Sequence, residues 1–281
     1  MDKQSRAYQY FYRQRWPSGF ECPRCGYKGC YTIGTRRNPL YQCALCRHQT
    51  SLTAGTVMEK SRTSLDKWLA AVELLSASYG VNAVQLSARI GVSHKTAWLM
   101  LRAFRRAIHR LEEERQFLGT VHAGLQVLGP YFFITHALYR RERVILIGGS
   151  MDNRTGKASA VKFRPVPTHL LDGKRLTRDG KIHFAQNVFP DSREFVPLSS
   201  FGMAKSRLRF IAEDAKHWLY SVFGSIGNTY LQLYLDEYAF RWNCISQGIP
   251  LKAAWEQMMF GRAVYERTMS ASCCPSAPIA G

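Results

Sequence analysis

The sequence lacks any run of about 18 uncharged apolar residues, the length that a membrane-spanning helix needs. It also lacks an apolar signal segment at its start, where residues 1–15 are charged and aromatic. We therefore expect no membrane association and a cytoplasmic location. Disulfides rarely persist in that compartment, so the eight cysteines are predicted to be metal ligands or free thiols.

Acidic residues are scarce, with 20 Asp and Glu against 39 Lys and Arg. The shortage is greatest in residues 1–110, which hold 5 acidic and 18 basic residues. A hydrophobic content of 46% excludes a disordered chain. The excess charge therefore indicates a folded protein that attracts nucleic-acid phosphates, and the alternative is a solubilising surface.

Four cysteines stand in two pairs, Cys22-x2-Cys25 and Cys43-x2-Cys46, separated by seventeen residues. Two tight turns of this kind place four thiolates around one zinc ion, and the ion supplies most of the folding energy of so small a ribbon. The alternatives are free thiols or a redox pair at either site. Cys30 is interpreted as a small packed residue, and His48 as a possible replacement for one cysteine ligand.

Residues 82–104 have the pattern of a helix-turn-helix. Leu86 is predicted to face inward, Gly91 suits a left-handed turn, and Ser93 is a natural N-cap for the second helix. The N-terminal end of such a helix enters the major groove, and later arginines contact phosphates. The alternative is two ordinary helices joined by a short turn. The predicted DNA contacts are His94, Lys95, Thr96, Arg102 and Arg105, with Trp98 and Arg106 as further candidates.

The pattern changes after Gly119. The runs 131–134 and 144–147 are rich in β-forming residues and predict a hairpin through Arg140–Arg143, whereas 165–180 is predicted to be a loop. Residues 205–223 and 228–243 predict two helices.

These motifs resemble the bacterial zinc-ribbon insertion-sequence transposases with a DDE-type core. The resemblance covers most of residues 15–245 and rests on the ribbon, on the segment 86–98, and on the segments 216–219 and 230–243. It implies an RNase H-like fold in which carboxylates hold two divalent metal ions, Mg²⁺ or Mn²⁺. Those ions activate water or a DNA 3′-hydroxyl for attack on a phosphodiester.

The sequence departs from that family pattern in its middle. Gly124 stands where the first aspartate is expected, and the second expected aspartate falls near Pro197. Only the third acid, Asp214, remains, together with Lys216. Neither glycine nor proline carries a side-chain metal ligand, so the resemblance implies a catalytically impaired core.

Other acidic residues are candidates to replace the missing ligands. Asp152 follows the β-rich run 144–147 and is the best of them, although its surroundings also fit an ordinary turn. Asp236 and Glu237 are interpreted as surface charges of a helix near Arg241.

The resulting prediction is a multi-domain chain: a zinc ribbon with an N-terminal helix (1–56), a helix-turn-helix domain (57–117), a degenerate α/β RNase H-like core (118–268) and a disordered tail (269–281). The predicted partners are double-stranded DNA, in the nucleoid, and a further copy of the chain. The first hypothesis is a transposase-family protein that binds element ends without strand transfer. The others are an active transposase whose acids are misaligned, and a zinc-ribbon transcriptional regulator.

Overall fold

The computed structural model describes residues 6–34, 39–77, 79–129, 138, 142–152, 157–224 and 226–261. The elements up to residue 113 are α1 (Arg6–Arg15), β1 (Cys30–Ile33), β2 (Leu40–Cys43), β3 (Gln49–Ser51), α2 (Leu65–Leu75), α3 (Ala83–Ile90) and α4 (His94–Glu113). Those that follow are β4 (Thr120–Leu128), β5 (Arg143–Met151), β6 (Ala158–Pro165), a 3-10 turn (Thr168–Leu170), β7 (Leu171–Asp172), β8 (Arg175–Leu176), α5 (Arg178–Asn187), β9 (Glu194–Pro197), α6 (Ser200–Lys205), α7 (Arg207–Phe223), α8 (Asn228–Ser246) and α9 (Leu251–Met259).

The N-terminal sheet is a small antiparallel ribbon in the order β1-β2-β3. It is too small to form a core alone, and α1 covers it with aromatic rings. Tyr41 of β2 lies 5.8 Å from Tyr12 and 4.8 Å from Trp16, measured between ring centroids. The hydroxyl of Tyr41 is also hydrogen-bonded to that of Tyr8.

Helices α2, α3 and α4 form where apolar residues recur every three or four positions. Trp68 of α2 and Phe104 of α4 are buried and meet edge to face, with ring centroids 5.3 Å apart. The predicted helix-turn-helix domain extends to residue 117. Helix α4 ends at Glu113, and Phe117 beyond it is buried and packs on Phe189, with ring centroids 5.2 Å apart.

The second sheet has four strands in the order β6-β5-β4-β9. Strands β4, β5 and β6 form an antiparallel meander, and β9 lies parallel to β4 on its other side. A parallel neighbour requires a crossover, which α5 provides. The result is a mixed α/β region, with helices α7 and α8 packed on the sheet.

The segment 165–180 was predicted to be a loop, and this prediction was wrong in part. The segment contains the 3-10 turn, the β7–β8 hairpin and the start of α5. Thr177 caps α5 by accepting a hydrogen bond from the Gly180 amide at 3.0 Å. Of the prolines and glycines that suggested a loop, Pro167 and Gly173 lie between these short elements, whereas Pro165 ends β6 and Gly180 lies within α5.

Helix α9 returns the chain to its N-terminal part. Trp255 is fully buried and lies 5.7 Å from Phe104 and 5.2 Å from Phe240, between ring centroids. Phe260 reaches Phe11 of α1 at 5.7 Å. One hydrophobic core therefore joins α1, the ribbon, α2–α4 and the C-terminal helices, although α9 was predicted to belong to the third domain.

Some predictions fall outside the residues that the structure describes. These are the β-rich run 131–134, positions 140 and 141 of the predicted hairpin turn, and the tail 269–281. In the described part of the chain, no helix combines the length and the apolar character that crossing a bilayer requires.

Candidate zinc centre and nucleic-acid interface

The two cysteine pairs form turns with the same hydrogen-bond pattern. The Gly26 amide donates to the Cys22 carbonyl at 2.9 Å, and the Arg47 amide donates to the Cys43 carbonyl at 3.1 Å. Both Gly26 and Arg47 adopt the left-handed conformation, with φ of 72° and 55°. Glycine favours that region, so the second turn holds its arginine at some conformational cost.

The two turns bring the four cysteine sulfurs together. The Sγ atoms of Cys22, Cys25, Cys43 and Cys46 all lie within 4.8 Å of one another. The Cys22–Cys46 and Cys25–Cys43 pairs are each 3.6 Å apart. Four sulfurs at about 2.3 Å from a tetrahedral zinc stand about 3.8 Å apart, so the cluster has the dimensions of a structural zinc site. The clustering supports the four-cysteine zinc prediction.

The remaining candidates for this site lie apart from the cluster. Cys30 stands opposite Cys43 in the β1–β2 register, and burial raises the pKa of its thiol. His48 does not belong to the group of ligand atoms, and its backbone carbonyl accepts the Cys43 amide. By contrast, the pKa of the Cys22 thiol is lowered to about 7. Burial raises this pKa, but hydrogen bonds from the backbone amides of Arg24 and Cys25 and from neighbouring thiols lower it by a larger amount.

Helices α3 and α4 are joined by the turn 91–93. Asn82 and Gln85 form a reciprocal capping box at the start of α3. Gly91 is left-handed, with φ of 63°, and Ser93 caps α4 by accepting from the Thr96 amide at 3.2 Å. The hydroxyl of Thr96 is also hydrogen-bonded to Ser93 at 2.8 Å, so this residue takes part in the cap.

The predicted contacts on α4 differ in exposure. His94 and Lys95 are exposed at the first turn. Arg102 is half-buried, with its guanidinium carbon 5.1 Å from the Trp98 ring and 5.7 Å from the Tyr230 ring. These rings hold the guanidinium at a fixed place beside the exposed face of the helix.

The interpretation of Arg105 as a phosphate contact is wrong. Arg105 is only 3% exposed, and its Nε lies 2.7 Å from Oε2 of Glu237 on α8. Arg106 and Arg110 are exposed instead. One face of the helix carries Lys95, Arg102, Arg106 and Arg110, which recur at helical spacing. This spacing is the signal in the sequence that could have added Arg110 to the candidate DNA contacts.

The interpretation of Asp236 and Glu237 as surface charges is also wrong, because both are fully buried. Glu237 pairs with Arg105 and, at 3.0 Å, with Arg241. Burial raises the pKa of Glu237, but the two guanidinium groups outweigh it and hold that pKa below its usual value. Asp236 accepts hydrogen bonds from Gln232 at 2.7 Å and from Arg164 at 3.2 Å, and pairs with His109 at 2.7 Å.

The positions expected to carry the first two catalytic acids are neighbours in the sheet. Pro197 of β9 stands opposite Ala123 of β4, beside Gly124. A Cβ atom at Gly124 would collide with the sulfur of Met203 on α6. The space that an aspartate would need at position 124 is therefore filled.

The remaining catalytic candidates lie on α7 and after β5. Asp214 is exposed on α7, and its Oδ2 accepts a hydrogen bond from the Tyr238 hydroxyl at 2.6 Å; burial and then this bond raise the pKa of Tyr238. Lys216 lies two residues further along α7. Asp152 follows β5 and is exposed. It lies five positions along the chain from Ile147, which stands opposite Gly124 in the β4–β5 register. At about 3.4 Å per residue, that separation is roughly 17 Å, too far for a shared metal site.

Divalent ions therefore do not fit the expected catalytic site. Among the described residues, the four cysteines form the only group of three or more His, Cys, Asp or Glu side chains close enough to hold a metal ion. Two of the expected ligand positions carry no donor atom, and the substitute Asp152 lies at the far end of β5. We derive no metal-dependent step from this arrangement.

Comparison with known proteins finds two similarities. Residues 3–49 match the family model of the transposase zinc-ribbon domain of the IS1595 kind. The ribbon is therefore similar to transposase zinc ribbons. Over 95 residues the chain is also 34% identical to an uncharacterized protein in transposable element ISH50 of Halobacterium salinarum.

That second match covers 34% of this chain and 32% of the relative, so the chain spans about a third of the length of the curated relative it matches. No solved structure matches the chain. Both similarities support an insertion-sequence transposase. Neither similarity tests the chemistry of the second sheet.

Proposed function

We propose that this protein binds DNA at the ends of an insertion sequence, through its zinc ribbon and the α3–turn–α4 unit, and that it has lost strand-transfer chemistry. The observation that carries the proposal is the transposase-type ribbon followed directly by a helix pair with a basic outer face. Binding as a homo-oligomer in the nucleoid is part of the proposal.

The basic face of α4 supports the choice of reading helix. Lys95, Arg106 and Arg110 are exposed on one side, and Arg102 is held beside them by aromatic rings. From Lys95 to Arg110 the helix rises about 22 Å, enough to reach from a groove to the flanking phosphates. The α4 N-terminus adds backbone amides that favour phosphate, and His94 and Lys95 stand in that first turn.

The loss of catalysis is supported by the second sheet. An active transposase with misaligned acids would need several carboxylates within reach of two metal ions. The described residues bring no such group together, and Met203 occupies the space beside Gly124. The mixed sheet and its flanking helices are compatible with the α/β core that the resemblance implies, which favours a transposase origin over an unrelated regulator.

The test combines binding and cleavage. Zinc-loaded protein is incubated with the DNA that flanks its gene, with Mg²⁺ or Mn²⁺, and retardation and strand cleavage are followed on the same samples. We expect retardation without cleavage. Metal-dependent cleavage would contradict the loss of catalysis, and Asp152→Asn would then be the first variant to examine.

A variant pair tests the reading helix. Lys95→Ala should weaken binding to the flanking DNA, whereas Lys252→Ala, an exposed lysine on α9, should not. Loss of one phosphate or base contact of this kind changes affinity by roughly tenfold. Equal affinities of the two variants would contradict the role of α4, and preference for unrelated promoter DNA over the flanking DNA would favour a transcriptional regulator.

A further inference from the structure

A cleft opens beside β4 and β9, and α4 contributes none of its described lining residues. Its cavity measures about 790 Å³ and lies between strand β4, the start of α6, the β7–β8 hairpin and α7. Gly124 and Met203 line it, together with the apolar residues Leu125, Leu176 and Leu198. It therefore occupies the place where the resemblance would put a metal-binding catalytic centre.

The cleft is basic. Lys174, Arg175, Lys181 and Arg209 line it, and Glu213 is the one acidic residue among its described lining residues. Two of the cations have acidic partners: Arg209 pairs with Glu213 at 2.8 Å, and Lys174 pairs with Glu142 at 2.9 Å. In the described part of the chain, Arg175 and Lys181 take part in none of the ion pairs, and both are exposed.

These cations come from four different elements. Lys174 lies in the β7–β8 turn, Arg175 begins β8, Lys181 lies on α5 and Arg209 on α7. Helices α5 and α7 are capped by Thr177 and Ser206, and the four cations line one cleft and do not lie along a single solvated helix face. Cations and apolar residues that line one cleft suit a ligand with both negative charges and flat apolar groups.

The dimensions favour a single strand over a duplex. A cube of the cleft volume has an edge of about 9 Å, whereas a B-DNA duplex is at least about 16 Å across, the sum of the depths of its two grooves. A duplex therefore cannot enter the cleft, but a few unpaired nucleotides can. Phosphates would contact Arg175 and Lys181, and bases would lie against the apolar lining residues.

We propose that this cleft binds a short segment of single-stranded nucleic acid through its phosphates, with side-chain cations in place of divalent metal ions. The proposal goes beyond binding of duplex DNA by α4 and does not rest on it. The cleft has retained a phosphate-binding surface in the place where the resemblance expects metal ligands, and it holds the strand without cleaving it.

The test measures fluorescence anisotropy of a labelled 12-nucleotide oligothymidylate with the full-length, zinc-loaded protein at low salt. Lys181→Glu and Arg175→Glu should each weaken binding roughly tenfold, because each removes a phosphate contact and adds repulsion. Lys252→Glu makes the same charge change on α9 and should change affinity less than twofold. Lys95→Ala should weaken duplex binding and leave oligothymidylate binding unchanged, which separates this proposal from the function of α4.

Two further results decide the proposal. Addition of Mg²⁺ or Mn²⁺ should leave the affinity unchanged or lower it by screening, and an increase would overturn a metal-independent site. Photo-crosslinking of an oligonucleotide that contains 4-thiothymidine should label peptides from 174–181 or 197–209. Labels confined to α4 or the ribbon, or equal loss of affinity in Lys181→Glu and Lys252→Glu, would show that the cleft is not the site.

Discussion

At the scale of single residues, the function of a side chain in this protein depends on its burial and its partner. Cys30 and Cys43 stand opposite each other in adjacent strands, yet only Cys43 directs its sulfur to the four-thiol cluster. Arg105 and Arg106 are adjacent in the chain, yet one is buried against Glu237 and the other is exposed. Residue type alone does not distinguish these pairs.

The zinc prediction is tested by this pair of cysteines. Cys43→Ser removes one of four ligands, so the ribbon should lose its zinc and its fold. Cys30→Ser should retain one zinc per chain, because its sulfur lies outside the cluster. Zinc content by atomic emission and the far-ultraviolet circular dichroism of both variants provide the measurement. Full zinc content in Cys43→Ser would contradict the four-cysteine site.

At the scale of elements, α4 differs in its surroundings along its length. Its first turn is exposed, whereas its second half is fixed to α8 by the buried pair Arg105–Glu237 and by His109 with Asp236. The segment before α3 is also hydrogen-bonded to α7. The Tyr79 carbonyl accepts from the Trp218 indole at 3.0 Å, and the side-chain amide of Asn82 donates to the Val222 carbonyl at 2.9 Å. The proposed reading helix is therefore anchored to the α/β region.

The buried pair gives a stability prediction. Glu237→Gln preserves the shape of the side chain but leaves both Arg105 and Arg241 without their shared counter-charge in a buried site. Loss of one partner of such a pair costs about 3–5 kcal/mol of unfolding free energy. Adding Arg105→Met to this variant removes one of the two unpaired cations and should recover part of the loss. Urea unfolding measures both, and a change below about 1 kcal/mol in Glu237→Gln would contradict the assignment.

His109 gives a prediction about pH. Its hydrogen bond to Asp236 raises its pKa; burial and Arg164 oppose this shift, and Glu113 adds to it. The protonated form is therefore favoured in the folded state. The stabilisation is fully present below the unfolded pKa, about 6.5, and is lost as the pH rises through the higher folded value.

The measurement compares His109→Gln with the wild-type protein. Thermal midpoints from pH 5.5 to 8.5 should show that the wild type loses more stability across neutral pH than the variant does. Parallel pH profiles for the two proteins would argue against the ion pair. Lys252→Gln, a neutralising change at an exposed position, serves as the control.

At the scale of the whole molecule, the N-terminal and C-terminal parts share one core. Trp255 of α9 contacts the rings of both Phe104 and Phe240, and the Arg241 guanidinium lies 5.2 Å from its ring. We therefore expect α2–α4 to unfold together with α8 and α9 and not as a separate unit.

Trp255→Ala tests this cooperativity. Truncation of a fully buried tryptophan should lower the unfolding free energy by about 3–5 kcal/mol. Hydrogen exchange should show that amide protection in α2 and α4 falls along with that in α8. Tyr220→Ala, at an exposed position, should change stability by less than about 0.5 kcal/mol. Unchanged protection in α2 and α4 would show that the two parts unfold independently.

The sequence by itself determined the local features. The spacing of the cysteine pairs predicted the cluster, and the order Gly91 to Ser93 predicted a left-handed turn and a helix cap, because these depend on residues a few positions apart. The sequence also showed that Gly124 and Pro197 have no side-chain ligand atom for a metal ion. Such features follow from local geometry and chemistry.

Only the tertiary structure decided which charged residues are buried and which cations converge. The sequence pattern assigned the side chains of Asp236 and Glu237 to the surface of a helix, but they are buried, and they have partners some 130 positions away on α4. The cleft beside β4 likewise combines residues 174–181 with Arg209. Burial and convergence depend on contacts between distant segments, and the periodicity of one segment carries no information about the segment that packs against it.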